Sequence, residues 1–187
     1  MHISITAVAM VFTGTLAHAN TTCDDLWLAS NTIFKSHGYC FGSTLGKTIF
    51  GNANCTTVEP KITTELEDRV QKIWQRAKLL GCQTDQARTT LPIYNLEQRK
   101  LILHQPIATM TESACIGYKG ETFSLFDAPN DGATEIGSIQ KGDDIGWFHD
   151  DEKSWSFMTT LSKQDGSTPV SGWSVEKVFP NCEAAAG

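Results

Sequence analysis

Residues 122–148 read TFSLFDAPNDGATEIGSIQKGDDIGWF. Apolar and polar positions alternate along this stretch, and the turn formers Asp127-Ala128-Pro129-Asn130-Asp131-Gly132 and Lys141-Gly142-Asp143 cut it into short pieces, which is the pattern of β-strands joined by tight turns. Phe123 and Leu125 fall on one face of a first strand. Glu135 to Ile139 and Ile145 to Phe148 supply the next two. An acidic turn at Asp150 to Lys153 leads to Trp155–Met158, and a loop at Asp165-Gly166 leads to Gly172-Trp173-Ser174 and Val178. Five short strands so closely spaced predict a small barrel. Cys115 and Cys182 bracket it, so a disulfide between them is expected to tie its first strand to its last.

Upstream, the pattern changes to helical periodicity. A first helix is expected from about Asp24 to His37, with Thr22 as N-cap and Asp25 beside the free N–H groups of the first turn. Leu26, Ala29 and Ile33 share its inner stripe, and Gly38 takes the left-handed position that ends it. A short helix follows around Thr44 to Phe50, with Leu45 and Ile49 inward. A third is announced by Thr64-Glu65-Leu66-Glu67, the pattern of a capping box. Its apolar positions Leu66, Val70, Ile73, Ala77 and Leu80 recur every three or four residues, and Gly81 closes it. Glu65/Arg69 and Asp68/Lys72 are read as outer-face ion pairs. Residues 83–114 read as a connector, and Glu97 and Arg99 as its surface charge.

The expected fold class is therefore α+β, with a disulfide-stapled helical domain followed by a small β-barrel. The expected boundaries are 1–19 signal peptide, 20–82 helical domain, 83–114 connector, 115–182 barrel and 183–187 tail. Ile3 to Leu16 is apolar or small, too short for a bilayer span, and is followed by Ala17-His18-Ala19, a signal-peptidase pattern. No second apolar run of membrane length follows. An exported, periplasmic or secreted protein is expected.

The chain carries six cysteines, an even number suited to three disulfides outside the cytoplasm. There are fifteen ways to pair them. Cys23 and Cys40 lie at opposite ends of a helix roughly 20 Å long and cannot join each other. Helices alternating up and down would pair Cys23 with Cys55 and Cys40 with Cys82. The net charge of −6 opposes binding to a nucleic-acid backbone and offers no polybasic patch for an anionic membrane.

The back half resembles a bacterial SH3-like (SH3b) domain. The likeness rests on Leu125-Phe126-Asp127-Ala128-Pro129, Ile136-Gly137-Ser138-Ile139, Lys141-Gly142-Asp143, Trp155 and Gly172-Trp173-Ser174; the arginine usual before the Pro turn is absent. It implies an SH3-like β-barrel. The front half resembles the YARHG domain through Phe34-Lys35-Ser36-His37-Gly38, in which Lys35 and Ser36 replace Ala and Arg. The whole chain is similar to a family of exported alphaproteobacterial proteins joining such a domain to a C-terminal domain of unknown function. The resemblance implies location and architecture, and a binding role toward peptidoglycan, but no reaction.

Candidate chemistry is sparse. His37 with Cys40 could form a nucleophile pair, unless Cys40 is oxidised and His37 simply sits at a helix C-terminus. His149-Asp150-Asp151-Glu152 could hold a hard cation only if the backbone turned all four inward; a solvated hairpin turn is the plainer reading. His104 alone reads as a satisfied or surface histidine. No catalytic residue, metal ligand or cofactor is assigned. Tyr118, Phe126, Trp147, Trp155 and Trp173 are the candidate ligand contacts, since aromatics not needed to fill the barrel can line a groove. The expected function is a binding module for a cell-wall glycopeptide or an envelope protein. The alternatives are a cell-wall hydrolase or amidase drawing on His37, His104 or His149, and an inhibitor or assembly factor acting through the helices.

Overall fold

The computed structural model describes residues 15–102, 104–163 and 165–187, with side chains from Thr21 onward. The expected signal peptide therefore lies largely outside the described residues. Helix α1 (Thr15–Ser36) is followed by α2 (Thr44–Phe50), α3 (Thr64–Leu79) and the short α4 (Leu96–Arg99). Strands β1 (Ala108–Tyr118), β2 (Phe123–Phe126), β3 (Glu135–Ile139), β4 (Asp144–His149), β5 (Ser156–Ser162), β6 (Ser171–Ser174) and β7 (Cys182–Ala186) complete the chain. The layout is α+β, as expected.

Both long helices end as their glycines predict. After α1, Tyr39 N–H donates to Phe34 O and Gly38 N–H to Lys35 O. After α3, Cys82 N–H donates to Ala77 O and Gly81 N–H to Lys78 O. Each is the paired 6→1 and 5→2 closure of a Schellman motif. Gly38 has φ +79°, and a Cβ there would stand 2.3 Å from Thr56 Oγ1, so two constraints select glycine.

The helix starts differ from expectation. Helix α1 already runs through Thr22, so this residue caps nothing and Asp25 is not in the first turn. The cap of α3 is Thr63, extended at φ −71° and ψ 158°, whose hydroxyl accepts from Leu66 N–H. With the cap one residue earlier, Leu66 takes the place a capping box needs for Glu67.

Helices α1 and α3 bury a shared seam of Leu26, Ala29, Ile33, Val70 and Ile73, joined from the connector by Ile107 and Ala108. Helix α2 packs Leu45 and Ile49 against Leu28 and Leu91. The disulfides follow from this arrangement, and two of the three differ from expectation. Cys23 pairs with Cys82 and Cys40 with Cys55, while Cys115 pairs with Cys182 as expected. Helix α2 is only about 10 Å long and cannot carry the chain back along α1. Cys55 therefore stays near the end of α1, where Cys40 is, and the return is made by the antiparallel α3, which delivers Cys82 to Cys23.

The strands form one antiparallel seven-stranded sheet in the order β3-β2-β6-β5-β4-β1-β7. The barrel does not close: β3 and β7 are its two edges, and no ladder joins them among the described residues. Two strands beyond the expected five explain the difference. β1 begins at Ala108, inside the segment expected to be connector, and most of the expected tail is β7, paired along β1 from Ala114↔Ala186 to Tyr118↔Cys182. The Cys115–Cys182 bridge fastens this edge strand to β1.

The Lys-Gly-Asp turn owes its shape to Asp143, fully buried, which accepts from Gln140 N–H at 2.8 Å and from Lys163 Nζ at 2.8 Å. Gly172 admits close contact between β6 and β2, since a Cβ there would meet Leu125 Cβ at 2.9 Å.

Both faces of the central strands are buried. Leu125, Ile145, Trp147 and Met158 fill one side with Tyr118 and Val178. Phe157 and Trp173, cross-strand partners of β5 and β6, fill the other with Ile102. That second side is covered by the connector: Trp173 Nε1 donates to His104 O at 2.9 Å, and Gln105 is buried with its amide donating to Arg99 O and Ile102 O. The stretch read as a linker is the middle layer of the protein.

Candidate functional site

The helical layer meets the sheet across paired charges rather than a purely apolar seam. Asp25 of α1 stands four residues before Ala29, on the flank of the buried stripe. It receives Arg99 through both guanidinium ends, Nη1 to Oδ2 at 2.7 Å and Nη2 to Oδ1 at 3.0 Å. His149, last residue of β4, places Nε2 at 3.2 Å and 3.3 Å from the same two oxygens. Arg99 also lies over the Phe157 ring at 5.1 Å, and His149 meets that ring edge-on.

Burial alone would raise the Asp25 carboxyl, but the Arg99 charge and the His149 ring outweigh it and hold Asp25 well below the usual carboxylate range. Burial pushes His149 below its ordinary value despite the attraction of Asp25, so the ring is neutral near pH 7. An ionised carboxylate only accepts, so Nε2 carries the imidazole proton and Nδ1 keeps its lone pair. Nδ1 is buried without a partner among the described residues, and so is Arg99 Nε.

A second cluster lies alongside. Arg69 of α3, expected on the outer face with Glu65, is instead buried; it donates to Gln105 O and pairs with Glu152. His104 Nε2 reaches the other Glu152 oxygen at 2.9 Å. Burial raises Glu152, but the His104 hydrogen bond and the Arg69 charge prevail and lower it to about 2. Arg76 binds Asp150 at 2.7 Å and Ala108 O at 2.7 Å, and Arg88 binds Asp24 at 2.5 Å and 3.0 Å.

This corrects the reading of residues 149–152 as a solvated hairpin turn. His149, Asp150 and Glu152 each dock on the helical layer, toward Asp25, Arg76 and Arg69, while Asp151 stays exposed. Each meets a different partner, so the three do not converge on one point. Among the described residues no three His, Cys, Asp or Glu side chains gather as metal ligands. Arg99, expected as surface charge, is 2 % exposed; Glu97 is exposed and pairs with Lys100. His37 binds Ile33 O through Nδ1 at 2.9 Å, and Cys40 is in a disulfide, so they form no nucleophile pair. His104 and His149 serve different carboxylates.

Two concavities open on the junction and share Thr109 and His149. One, of about 370 Å³, has Asp25, Arg99 and His149 in its wall with Ile93, Phe148 and Leu161. The other, a groove of about 830 Å³, includes Trp147, Phe179, Val175, Asp151, Lys153 and Lys177.

The five aromatic candidates do not converge. Trp173 is fully buried, Tyr118 is 4 % exposed, and Phe126 and Trp155 meet edge to face on the Trp173 side of the sheet. Trp147 alone of the five lines the groove, stacked on Phe179 with ring centroids 4.5 Å apart and planes 24° from parallel. Phe179 sits in a 3₁₀ turn between β6 and β7, where no periodicity marked it; the one signal was Pro180 beside it. For Asp25 the available signal was a carboxylate flanking an apolar stripe, which calls for a buried cation.

Residues 4–79 match the model of the YARHG domain, and residues 81–187 match that of a domain of unknown function, DUF4453. No curated protein and no solved structure matches the chain. Three disulfides and a YARHG domain mark an exported protein. None of the described helices is long and apolar enough to cross a membrane.

Proposed function

The chain belongs to the DUF4453 family, and on that footing we propose that it is an envelope binding protein, periplasmic or secreted, which recognises a cell-wall glycopeptide or an envelope protein in the groove floored by Trp147 and Phe179. The stacked pair carries the reading. Phe179 is 48 % exposed although aromatic, and it extends the flat face of Trp147 into a groove rimmed by hydroxyls and both signs of charge. An aromatic platform with a polar rim suits the C–H face of a sugar and the charged ends of a short peptide. The SH3b-like order of motifs supports recognition by the sheet, and the exported setting supports a cell-wall target.

A cell-wall amidase acting through a cysteine would need a free thiol. Every cysteine is in a disulfide, and Thr159, one of the hydroxyl residues that line the smaller cavity with His149, is bonded to Ser171 at 3.0 Å. The aromatic pair with its half-exposed Phe179 is what favours binding over that alternative.

The test is co-sedimentation of purified protein with purified sacculi. Wild type is expected in the pellet and Phe179→Ser largely in the supernatant, since this side chain packs on Trp147 from outside. If both remain soluble, or both pellet equally, the groove is not the recognition site for the wall. Release of soluble muropeptides would replace the binding role with a catalytic one.

A further inference from the structure

The smaller cavity borders the groove at Thr109 and His149 and differs from it in chemistry. Ile93, Phe148 and Leu161 give it apolar walls, and Tyr94 closes one side, its hydroxyl tied to Leu161 O. Its volume of about 370 Å³ lies at the small end of ligand sites, and pockets of this kind favour junctions between structural units. A cavity of roughly 150 Å³ accepts a single benzene ring, so this one has room for a two-ring molecule.

The polar end of the cavity sets what can enter. Arg99 and Asp25 cancel each other in a two-pronged pair, His149 is neutral, and Glu112, the other charged residue of the lining, already has a partner, so the cavity has no free charge to offer an ion. A ligand carboxylate would face Asp25 with the Arg99 fork already committed, and a ligand ammonium would give up its hydration for a carboxylate already paired. The wall does hold an unfilled acceptor. Among the described residues His149 Nδ1 has no donor, and a buried acceptor left unmade is destabilising. His149 is one of the residues lining the cavity, and its imidazole must tip to bring this buried atom to an entering donor.

We infer that this cavity is a binding site for a small, uncharged, largely apolar molecule of one or two fused rings that carries a single O–H or N–H donor, bound with the donor on His149 Nδ1. The site draws one wall from the helical layer, one from the connector and one from the sheet, so it exists only in the assembled chain. It stands apart from the groove reading and would survive that reading's failure.

The probe is 2-naphthol, titrated into the full chain with its disulfides intact. Binding is followed by thermal unfolding and by long-range ¹H–¹⁵N spectra of the imidazole rings. 2-Naphthol is expected to raise the melting temperature and to shift the His149 Nδ1 resonance. Naphthalene, which lacks the donor, is expected to bind about tenfold more weakly, and 2-naphthoate and 2-naphthylmethylammonium not to bind. Leu161→Trp, which fills the cavity, abolishes binding; Thr109→Phe, filling it from β1, serves if the first variant does not fold. The inference is overturned if 2-naphthol leaves the protein unchanged or His149 Nδ1 unmoved. Naphthalene binding as tightly, a charged probe binding better, or a folded cavity-filling variant binding normally would overturn it equally.

Discussion

Replacing Arg99 with leucine tests whether the paired charges at the junction hold the two layers together. The variant keeps the length of the side chain's inner part but leaves the Asp25 carboxylate buried with only the neutral His149 beside it. It also removes the guanidinium from the Phe157 face. Breaking a buried pair by deleting one partner costs about 3–5 kcal/mol, because the remaining charge is uncompensated. Removing both, as Asp25→Leu with Arg99→Leu, leaves an apolar contact, and that exchange is commonly neutral or stabilising by about 1–4 kcal/mol relative to the intact pair. The double variant should therefore be the more stable of the two by several kcal/mol. The assay is equilibrium unfolding in urea at neutral pH, disulfides intact, with midpoints converted through a common m-value. If Arg99→Leu costs less than about 1 kcal/mol, or the double variant is no more stable than the single, the junction does not depend on this pair.

Acid should weaken the fold in two stages. His149 is held below its unfolded value of 6.5. Its contribution is thus complete above 6.5 and is lost as pH falls through the folded value, because the unfolded chain binds the proton first. Glu152, lowered from 4.5 to about 2, adds a second loss between those values, and Asp25 continues it below. Unfolding midpoints measured against pH should show both declines, and Glu152→Gln should reduce the lower one alone. The disulfides should rank by the loop each closes. Serine replacement of Cys23 and Cys82, which are 59 residues apart, is expected to cost about 1 kcal/mol more than replacement of Cys40 and Cys55, 15 apart, by loop entropy; equal denaturation midpoints would contradict this.

How much of this was legible in the sequence depends on the range of the interaction. Helix ends governed by a single glycine, as at Gly38 and Gly81, were readable, because a left-handed residue acts on the turn before it. Strand alternation was readable too, since the pleat is local. The disulfide pairing was not, because it depends on how far α2 travels relative to α1, a comparison of two lengths in space. The role of residues 83–107 was hidden for a related reason. Ile102 and Gln105 cover Trp173 by layering, and a chain that lies across a sheet shows neither period 2 nor period 3.6. Arg69 and Arg99 were misread because an arginine that satisfies its donors inside looks, in sequence, like one that meets water. The aromatic platform was half legible: Trp147 was a named candidate, while Phe179 sits in a turn with no pattern around it.

Asp25, Arg69 and Arg76 all lie within the part matched by the YARHG domain, and their counter-charges Arg99, Glu152 and Asp150 lie within DUF4453, as does His149. The two matched regions are therefore not freely interchangeable pieces. A YARHG segment cut from this chain and fused to another C-terminal domain would carry a buried acid and two arginines whose complements stay behind. A relative that shuffled its partner domain must either supply an equivalent guanidinium and carboxylates at the seam or lose the charges on the helices. Compatibility between the halves can be judged residue by residue, from whether those few seam positions change together.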